Sequence, residues 1–375
     1  MSRLSAASLF AGIGGFDLAA EALGVSVKLQ AEIDASAQHV LRSRFPGVEL
    51  VDDATSVDLR GIDVVMAGFP CQGLSAAAAT PGGQGLFDPS SPSAVIWTAL
   101  TRIFWAAPEY LLLENADSLS TAQYAADMQA LVGLLAENGY YAHTVNLNAG
   151  CFGSMMRRAR TFILARRRPW SRPSLDKRVA WICDPYAIGV NNQQGGALFC
   201  AQPSVTKKAT TYTLFVTQNE VRSVTPEGVE VLFGYPVGWT EPAGKKGARY
   251  ARLGNTVSTH AAKAAFELLL HGSTATSIPT ADYGALEPLT VPAPGGTAGS
   301  AFGRITRTVL GTRNPNTNAI EMTYCVPVYA AWMHAHPDDV SPAMWDYLAL
   351  AEQHGLVAAP RAWPRHVEVV MEQRG

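Results

Sequence analysis

A lone cysteine at the end of an apolar run is the first feature of this chain that suggests chemistry. The run Ile62 to Ala67 ends in Gly-Phe-Pro and leads to Cys71, with no other cysteine near it. A second apolar run, Tyr110 to Leu113, ends as abruptly at Glu114. The carboxyl ends of strands in an open parallel α/β sheet collect ligands and catalytic groups. A thiol and a carboxylate on two such ends predict a nucleophile with a proton-handling partner, although an inert buried thiol is the alternative for any cysteine.

A glycine-rich turn near the start of the chain predicts a nucleotide-binding loop. The turn Gly12-Ile13-Gly14-Gly15 follows one apolar run, and Glu32 ends the next run, about 20 residues on, where a carboxylate accepts from ribose hydroxyls. The GxGG spacing lacks the third glycine of a pyrophosphate fingerprint, which favours a ligand without pyrophosphate over NAD. Asp53 would bond an adenine amino group. A purely structural tight turn and a solvated loop acid or helix cap remain the alternatives.

Strand-like and helix-like runs alternate through the first 165 residues, which predicts an α/β fold with a doubly wound, mostly parallel, Rossmann-like sheet. The predicted strands are Leu4–Phe10, Val25–Glu32, Ile62–Ala67, Tyr110–Leu113, Tyr140–Leu147 and Arg160–Ala165. The predicted helices are Phe16–Leu23, Ala94–Trp105, Gln123–Glu137 and, much later, His260–Leu270.

The pattern changes along the chain and divides it into five parts. Residues 1–168 form a catalytic and cofactor-binding domain, and residues 169–220 a short irregular lobe in which periodicity fails. Residues 221–272 return to helix signals and complete the first domain. Residues 273–298 are rich in Pro, Gly, Ala and Thr and are interpreted as a linker. Residues 299–375 form a C-terminal appendage to which the sequence assigns no role.

Composition narrows the class of protein. Hydrophobic residues make up 48% of the 375 and charged residues 16%, which is typical of a well-buried globular chain. The net charge of −2 means that any polyanion site must be local. Five cysteines without CxxC spacing argue against disulfides and a zinc site and favour a reducing compartment. Glycines and Asp17 interrupt the apolar start, and no window reaches roughly 18 apolar residues, so we expect a cytoplasmic protein that binds neither metal nor membrane.

Taken together, seven ordered blocks resemble the DNA cytosine-5 methyltransferase family. They extend over about residues 4–270 and are SLFAGIGGFDLA (8–19), AEID (31–34), GFPCQGLS (68–75), LLENA (112–116), RRARTFIL (157–164), SVTPEGVEVLFGYPVGW (223–239) and RLGNTVS (252–258). The resemblance implies a class I methyltransferase fold in which 169–220 is the target-recognition lobe. It also implies S-adenosyl-L-methionine as cofactor and S-adenosyl-L-homocysteine as product. The cofactor-binding residues would be Phe10, Ala11, Gly12, Gly14, Gly15, Glu32, Ile33, Asp53, Ala54, Pro70, Ile96, Asn255 and Val257.

The resemblance also assigns the catalytic roles, with double-stranded DNA as the partner of a monomeric enzyme. Cys71 would add to carbon 6 of a flipped-out cytosine, and Glu114 would bond the ring nitrogen and the exocyclic amine. Arg158 and Arg160 would hold the backbone and the carbonyl oxygen of that nucleotide. The DNA-binding residues would be Gln72, Ser75, Arg157, Arg158 and Arg160. The basic stretch from Arg157 to Arg178 predicts a local phosphate-binding cluster, with a solvated strand end as the alternative for Arg166 to Arg168.

Two departures from the family pattern and one short lobe qualify this interpretation. Met156 stands where the family has glutamine, and Ala116 where valine usually follows Glu-Asn. The short lobe predicts a target of about two to four base pairs, since a small reader contacts few base edges. The alternatives are an RNA cytosine-5 methyltransferase, a catalytically silent DNA-binding relative and an NAD-dependent dehydrogenase.

Overall fold

A seven-stranded sheet organises the part of the chain that contains the predicted catalytic residues. The computed structural model describes residues 3–72, 74, 85–152, 158–173, 197–200, 213–216, 221–274 and 289–292. The strands of this sheet are β1 (Ser5–Leu9), β2 (Ser26–Ala31), β3 (Glu49–Val51), β4 (Val64–Gly68), β5 (Tyr110–Ala116), β6 (Tyr141–Asn148) and β7 (Ala159–Arg166). Their spatial order is β3-β2-β1-β4-β5-β7-β6.

The direction of the strands decides which residues meet at one edge. Strands β1 to β5 pair in parallel, so their carboxyl ends lie together. Strand β7 runs antiparallel between β5 and β6, and its register aligns Ala116 with Arg160. The beginning of β7 therefore lies at the same edge as the end of β5. This mostly parallel sheet confirms the predicted fold class.

Helices cover both faces of the sheet. They are α1 (Gly15–Ala22), α2 (Ala35–Arg44), α3 (Val95–Ala106), α4 (Ala125–Glu137), α5 (Pro226–Phe233), α6 (Lys246–Asn255) and α7 (Thr259–His271). Alternate residues of the central strands enter two separate apolar clusters, as the two-residue period of a strand requires. Met66 packs with α1 and α7 on one face, whereas Val65 packs with α3 and α4 on the other. Among the described helices, none is long and apolar enough to cross a membrane.

A second, antiparallel sheet comes from later parts of the chain. Its order is β11-β10-β9-β8, from β8 (Ala197–Cys200), β9 (Thr213–Val216), β10 (Val221–Val224) and β11 (Thr290–Pro292). Strand β11 lies within the segment 273–298 that the sequence suggested as a linker, and its residues pair with 222–224. Here the structure corrects that interpretation, because these three residues belong to a sheet.

The predicted elements of the first domain are present, with two additions. Helix α2 and the short strand β3 were not predicted. Asp34 caps the start of α2 through its carboxylate, which accepts from the amide of Ala37 at 2.9 Å. Strand β5 continues three residues past the predicted end at Leu113, through Ala116, because it pairs with β7 over its whole length. Asp53 follows β3 and precedes β4, the strand that was predicted at Ile62–Ala67.

Candidate active site

Asn115 fixes the backbone of the segment that carries Cys71. Strand β4 ends at Gly68, and the chain leaves the sheet through Phe69 and Pro70. The Asn115 side-chain amide donates to the carbonyls of Phe69 at 3.0 Å and Pro70 at 3.3 Å. The Ser93 hydroxyl donates to the same Pro70 carbonyl at 2.6 Å. These bonds hold the Pro-Cys turn against the end of β5, a role for Asn115 that the sequence analysis did not identify.

Cys71 lies in a charged pocket at this edge of the sheet. Burial raises the pKa of its thiol, whereas the charges of Arg160 and Arg158 act in the opposite direction. The carboxylate of Glu114 is a further neighbour and favours the protonated thiol. The four predicted catalytic side chains therefore share one electrostatic environment. The thiol is protonated at neutral pH in the protein alone, and a reaction must remove its proton.

Glu114 is a buried carboxyl group paired with an arginine. It is 9% exposed, and its Oε1 lies 3.1 Å from the Nε of Arg160. Burial raises its pKa, against the opposing influence of Arg160 and Arg158. In the ladder it aligns with Gly68, where an added Cβ would lie 3.3 Å from Oε2. A carboxyl group with a raised pKa at a strand end is suited to transient protonation.

Arg158 makes contacts that the sequence did not predict. It is 5% exposed, and its Nη2 donates to the carbonyls of Gly254 at 3.1 Å and Thr256 at 2.6 Å. Its guanidinium carbon lies 5.0 Å from the ring centroid of Phe233. Burial and the charge of Arg160 lower its pKa to about 9. Arg158 thus joins β7 to the segment after α6, and the DNA contact predicted for it stays a prediction.

The glycine turn has an unusual backbone. Phe10, Gly12 and Gly14 all have positive φ, at 55°, 58° and 86°. A left-handed conformation is strained for phenylalanine and costs glycine little, so this turn is specified by its neighbours. The amide of Ala11 donates to the carbonyl of Ala31 at 3.0 Å. The turn is therefore attached to the end of β2.

Glu32 holds both sides of this turn. Its Oε2 accepts from the amide of Gly12 at 2.7 Å, and its Oε1 accepts from the amide of Asp34 at 2.8 Å. Burial raises the pKa of this carboxyl group, whereas these two hydrogen bonds lower it. Each carboxylate oxygen retains a second lone pair, which a ribose hydroxyl can occupy.

The surface beside Glu32 is open and partly apolar. Ile33 is 84% exposed, which presents an apolar side chain on which a base can rest. An added Cβ on Gly12 would meet no atom within 4 Å, so open space faces the turn. Asp53 is also exposed, and its Oδ1 accepts from the amide and hydroxyl of Thr55 at 2.8 and 2.7 Å. These hydrogen bonds lower the pKa of Asp53.

The other residues predicted to bind the cofactor or DNA differ in how far they are buried. Ala11, Ala54 and Ile96 are buried, and Ile96 is enclosed in the apolar cluster of α3 and β4. The cofactor contacts expected of them stay predictions. Pro70 is partly buried at the Cys71 turn, between the glycine turn's edge and β5. Gln72 is exposed, whereas Ser75 and Arg157 lie outside the described residues.

A segment from the far end of the first domain completes the cofactor side of the site. An added Cβ on Gly15 would lie 2.8 Å from Cγ1 of Val257, so this glycine allows close approach. Asn255 is exposed at the end of α6. Arg252 forms an ion pair with Asp34 at 2.5 Å. Val257 therefore lies against the glycine turn, and the cofactor contact expected of Asn255 stays a prediction.

Among the described residues of the arginine-rich stretch, Arg160 and Arg166 lie at opposite edges of the sheet. Arg160 lies at the catalytic edge, whereas Arg166 pairs with Tyr110 at the opposite end of β5. The Arg166 Nε donates to the carbonyl of Leu269 at 2.8 Å, and its guanidinium lies 4.1 Å from the ring centroid of Trp170. Arg166 therefore stabilises the end of α7, and the shared phosphate-binding cluster expected from the sequence is not formed by these residues.

Comparisons with known proteins agree with this geometry. The family of C-5 cytosine-specific DNA methylases matches residues 4–180. Type II methyltransferase M2.BsuMI of Bacillus subtilis (strain 168) is 28% identical over 288 residues, covering 68% of this chain and 72% of that protein. Type II methyltransferase M.Bsp6I of Bacillus sp. (strain RFL6) is 31% identical over 169 residues, covering 44% of this chain and about half (52%) of its own length.

A solved structure is similar in fold. The Entamoeba histolytica methyltransferase EhMeth superposes with a TM-score of 0.50 at 14% sequence identity, covering 72% of this chain and 98% of that chain. At this identity the likeness concerns the fold, which is the class I methyltransferase arrangement of a mostly parallel seven-stranded sheet between helices.

Proposed function

We propose that this chain, whose residues 4–180 match the family of C-5 cytosine-specific DNA methylases, methylates carbon 5 of a flipped-out cytosine in double-stranded DNA through a covalent bond from Cys71. S-adenosyl-L-methionine, when bound, supplies the methyl group as an electrophile on a sulfonium sulfur and leaves as S-adenosyl-L-homocysteine. Glu32, Ile33 and the open backbone at Gly12 would hold it. The observation that carries this proposal is the common location of Cys71 and the Glu114–Arg160 pair at one sheet edge.

The first step activates the cytosine ring. The Cys71 thiol loses its proton, and its sulfur bonds to carbon 6. The π electrons of the C5–C6 bond move toward N3, where the Glu114 carboxyl group donates a proton. Arg160 would keep Glu114 oriented through its 3.1 Å contact and would bind the ring carbonyl. Carbon 5 then has enamine character and bonds to the methyl group.

The last step restores the ring and the enzyme. The proton on carbon 5 leaves to a base, and its electron pair re-forms the C5–C6 double bond. The bond between carbon 6 and sulfur breaks, and the electron pair returns to Cys71. The Glu114 carboxylate recovers the N3 proton. Cys71 takes a proton from solvent in place of the one it lost in the first step, so one proton in total is released for each methyl group transferred.

A cytosine in a stacked duplex hides carbon 6, so the base must leave the helix at a cost of a few kcal/mol. We propose that the exposed Gln72, with Ser75 and Arg157, contacts the DNA around that base. The short lobe 169–220 favours a target of about two to four base pairs. The named relatives are type II methyltransferases, which supports DNA over RNA as the substrate and a role in restriction-modification. We further propose that the enzyme acts as a cytoplasmic monomer.

Trapping on a mechanism-based substrate tests the proposal. Duplex DNA that carries 5-fluorocytosine cannot lose a proton from carbon 5, so the covalent complex should accumulate when S-adenosyl-L-methionine is present. We expect an adduct with the unmodified enzyme and with the matched control Cys325→Ala, and none with Cys71→Ala. An equal adduct from Cys71→Ala would refute the assignment. Transfer of label to a folded RNA, with none to duplex DNA, would instead favour the RNA substrate.

A further inference from the structure

A buried carboxyl group lies beneath the glycine turn and has no role in the proposed reaction. Asp17 is in the first turn of α1 and is fully buried. Its Oδ2 accepts from the hydroxyl of Ser8 at 3.0 Å, and its Oδ1 accepts from the side-chain amide of Gln30 at 2.8 Å. The Asp17 side chain therefore connects α1 to both β1 and β2.

The two donors are aligned in the sheet. Ser8 and Gln30 are register partners in the parallel ladder between β1 and β2. Asp17 bridges this pair from above, which fixes the rotation and height of α1 over the two strands. The glycine turn connects β1 to α1, so its two ends are set by the same carboxyl group. Glu32 then lies two residues beyond Gln30 and holds the middle of the turn at Gly12.

Burying the Asp17 carboxyl group in the protein core costs free energy. Burying a carboxyl group is unfavourable, and its hydrogen bonds recover only part of the cost. In the described part of the chain, Oε1 of the buried Gln30 also has no hydrogen-bond partner. An apolar residue at position 17 would pack here at lower cost, but it would not fix the direction of the helix relative to the strands. The cost is explained if the geometry of the turn matters for function.

We propose that Asp17 is a positioning residue for the cofactor: through Ser8 and Gln30 it holds the glycine turn in the conformation that binds S-adenosyl-L-methionine. The proposal rests on the proposed function. Asp17 does not touch the ligand, and it acts through the backbone of residues 10–15. The positive φ of Phe10 is maintained against its intrinsic preference by this support.

Three variants test this role: Asp17→Ala removes both acceptors, Asp17→Asn keeps one, and Glu21→Gln is a matched control on the exposed side of α1. The dissociation constant for S-adenosyl-L-methionine is measured by calorimetry, and kcat is measured at saturating cofactor with DNA. We expect Asp17→Ala to raise the dissociation constant about tenfold, Asp17→Asn about threefold, and Glu21→Gln not at all. The kcat at saturating cofactor should stay within about twofold, because Cys71 and Glu114 are undisturbed.

The outcomes separate the two proposals. Unchanged cofactor affinity in folded Asp17→Ala, or a loss of kcat without a loss of affinity, overturns the positioning role. If Asp17→Ala does not fold, Asp17→Asn decides, and an affinity equal to that of the unmodified enzyme overturns it. If the unmodified enzyme binds no S-adenosyl-L-methionine, the proposed function fails and Asp17 is not the reason.

Discussion

Replacing Asp17 with asparagine should change how the stability of the fold depends on pH. Burial raises the pKa of this carboxyl group from 3.8 to about 6, although the hydrogen bonds from Gln30 and Ser8 lower it. The nearby Glu21 raises it slightly further. The neighbouring phenol of Tyr235 stays neutral, because burial raises its pKa as well. The asparagine side chain of the variant has nearly the same shape as the aspartate and carries no titrating group.

The sign and size of the effect follow from proton linkage. The folded state binds the Asp17 proton more tightly than the unfolded state, so stability is highest when the group is protonated in both states. Stability falls as pH rises from the unfolded pKa of 3.8 toward the folded pKa of about 6. The full difference of about two pKa units corresponds to about 3 kcal/mol. Between pH 4.5 and pH 7.5 this site contributes a loss of about 2 kcal/mol.

Urea unfolding of both proteins at pH 4.5, 6.0 and 7.5 measures this contribution. The quantity to compare is the free energy of unfolding of Asp17→Asn minus that of the unmodified protein, at each pH. Every other titrating group cancels in this difference. It should shift in favour of the variant by about 2 kcal/mol between pH 4.5 and pH 7.5. A difference that stays constant within about 0.5 kcal/mol would show that Asp17 titrates normally and is not buried as described.

Two further predictions concern the catalytic pair and the glycine turn. Single-turnover rates should rise more steeply with pH in Glu114→Gln than in the unmodified enzyme, because the Cys71 thiol still loses its proton while no carboxyl group loses a compensating one. A level profile in that variant would contradict protonation of the ring by Glu114. Gly15→Ala places a Cβ 2.5 Å from the Tyr235 hydroxyl and should destabilise the protein by about 1–3 kcal/mol through steric overlap. Gly12→Ala meets no atom and should cost only about 1 kcal/mol for its positive φ, so equal thermal shifts in the two variants would count against this packing.

Local pattern predicted most of the first domain, because each strand or helix there carries its own apolar period. It failed where an element depends on distant partners. Strand β3 has only three residues and forms because β2 offers it an edge. Strand β11 is short and lies in a Pro- and Gly-rich segment, so composition favoured a linker; its pairing with β10 crosses more than sixty residues of sequence. The spacing of apolar residues within a segment gives no information about a strand so far away in the sequence.

The sequence predicted which residues come together in the candidate site better than it predicted what each of them contacts. Cys71, Glu114 and Arg160 come together as expected, because strand ends in this topology share one edge. The role of Asn115 was missed, since an amide that binds backbone carbonyls leaves no spacing signal. Arg158 was assigned to catalysis and to DNA through the resemblance to the family, and this assignment carries no information about its contacts within the chain. Its carbonyl partners in 254–256 lie almost 100 residues further along the chain.

The two buried arginines, Arg158 and Arg160, influence how protons are distributed between Cys71 and Glu114, the proposed catalytic pair. Arg160 offsets the charge of Glu114, while Arg158 leaves a second positive charge in the same pocket. The ionised Glu114 raises the pKa of Cys71, so protonating Glu114 removes that influence and leaves both arginines to favour the thiolate. Loss of the Cys71 proton and protonation of Glu114 therefore assist each other, and the total charge of the pocket is the same before and after the exchange. That is the exchange that addition of sulfur to carbon 6 requires, because the thiolate and the N3 proton donor must be present together.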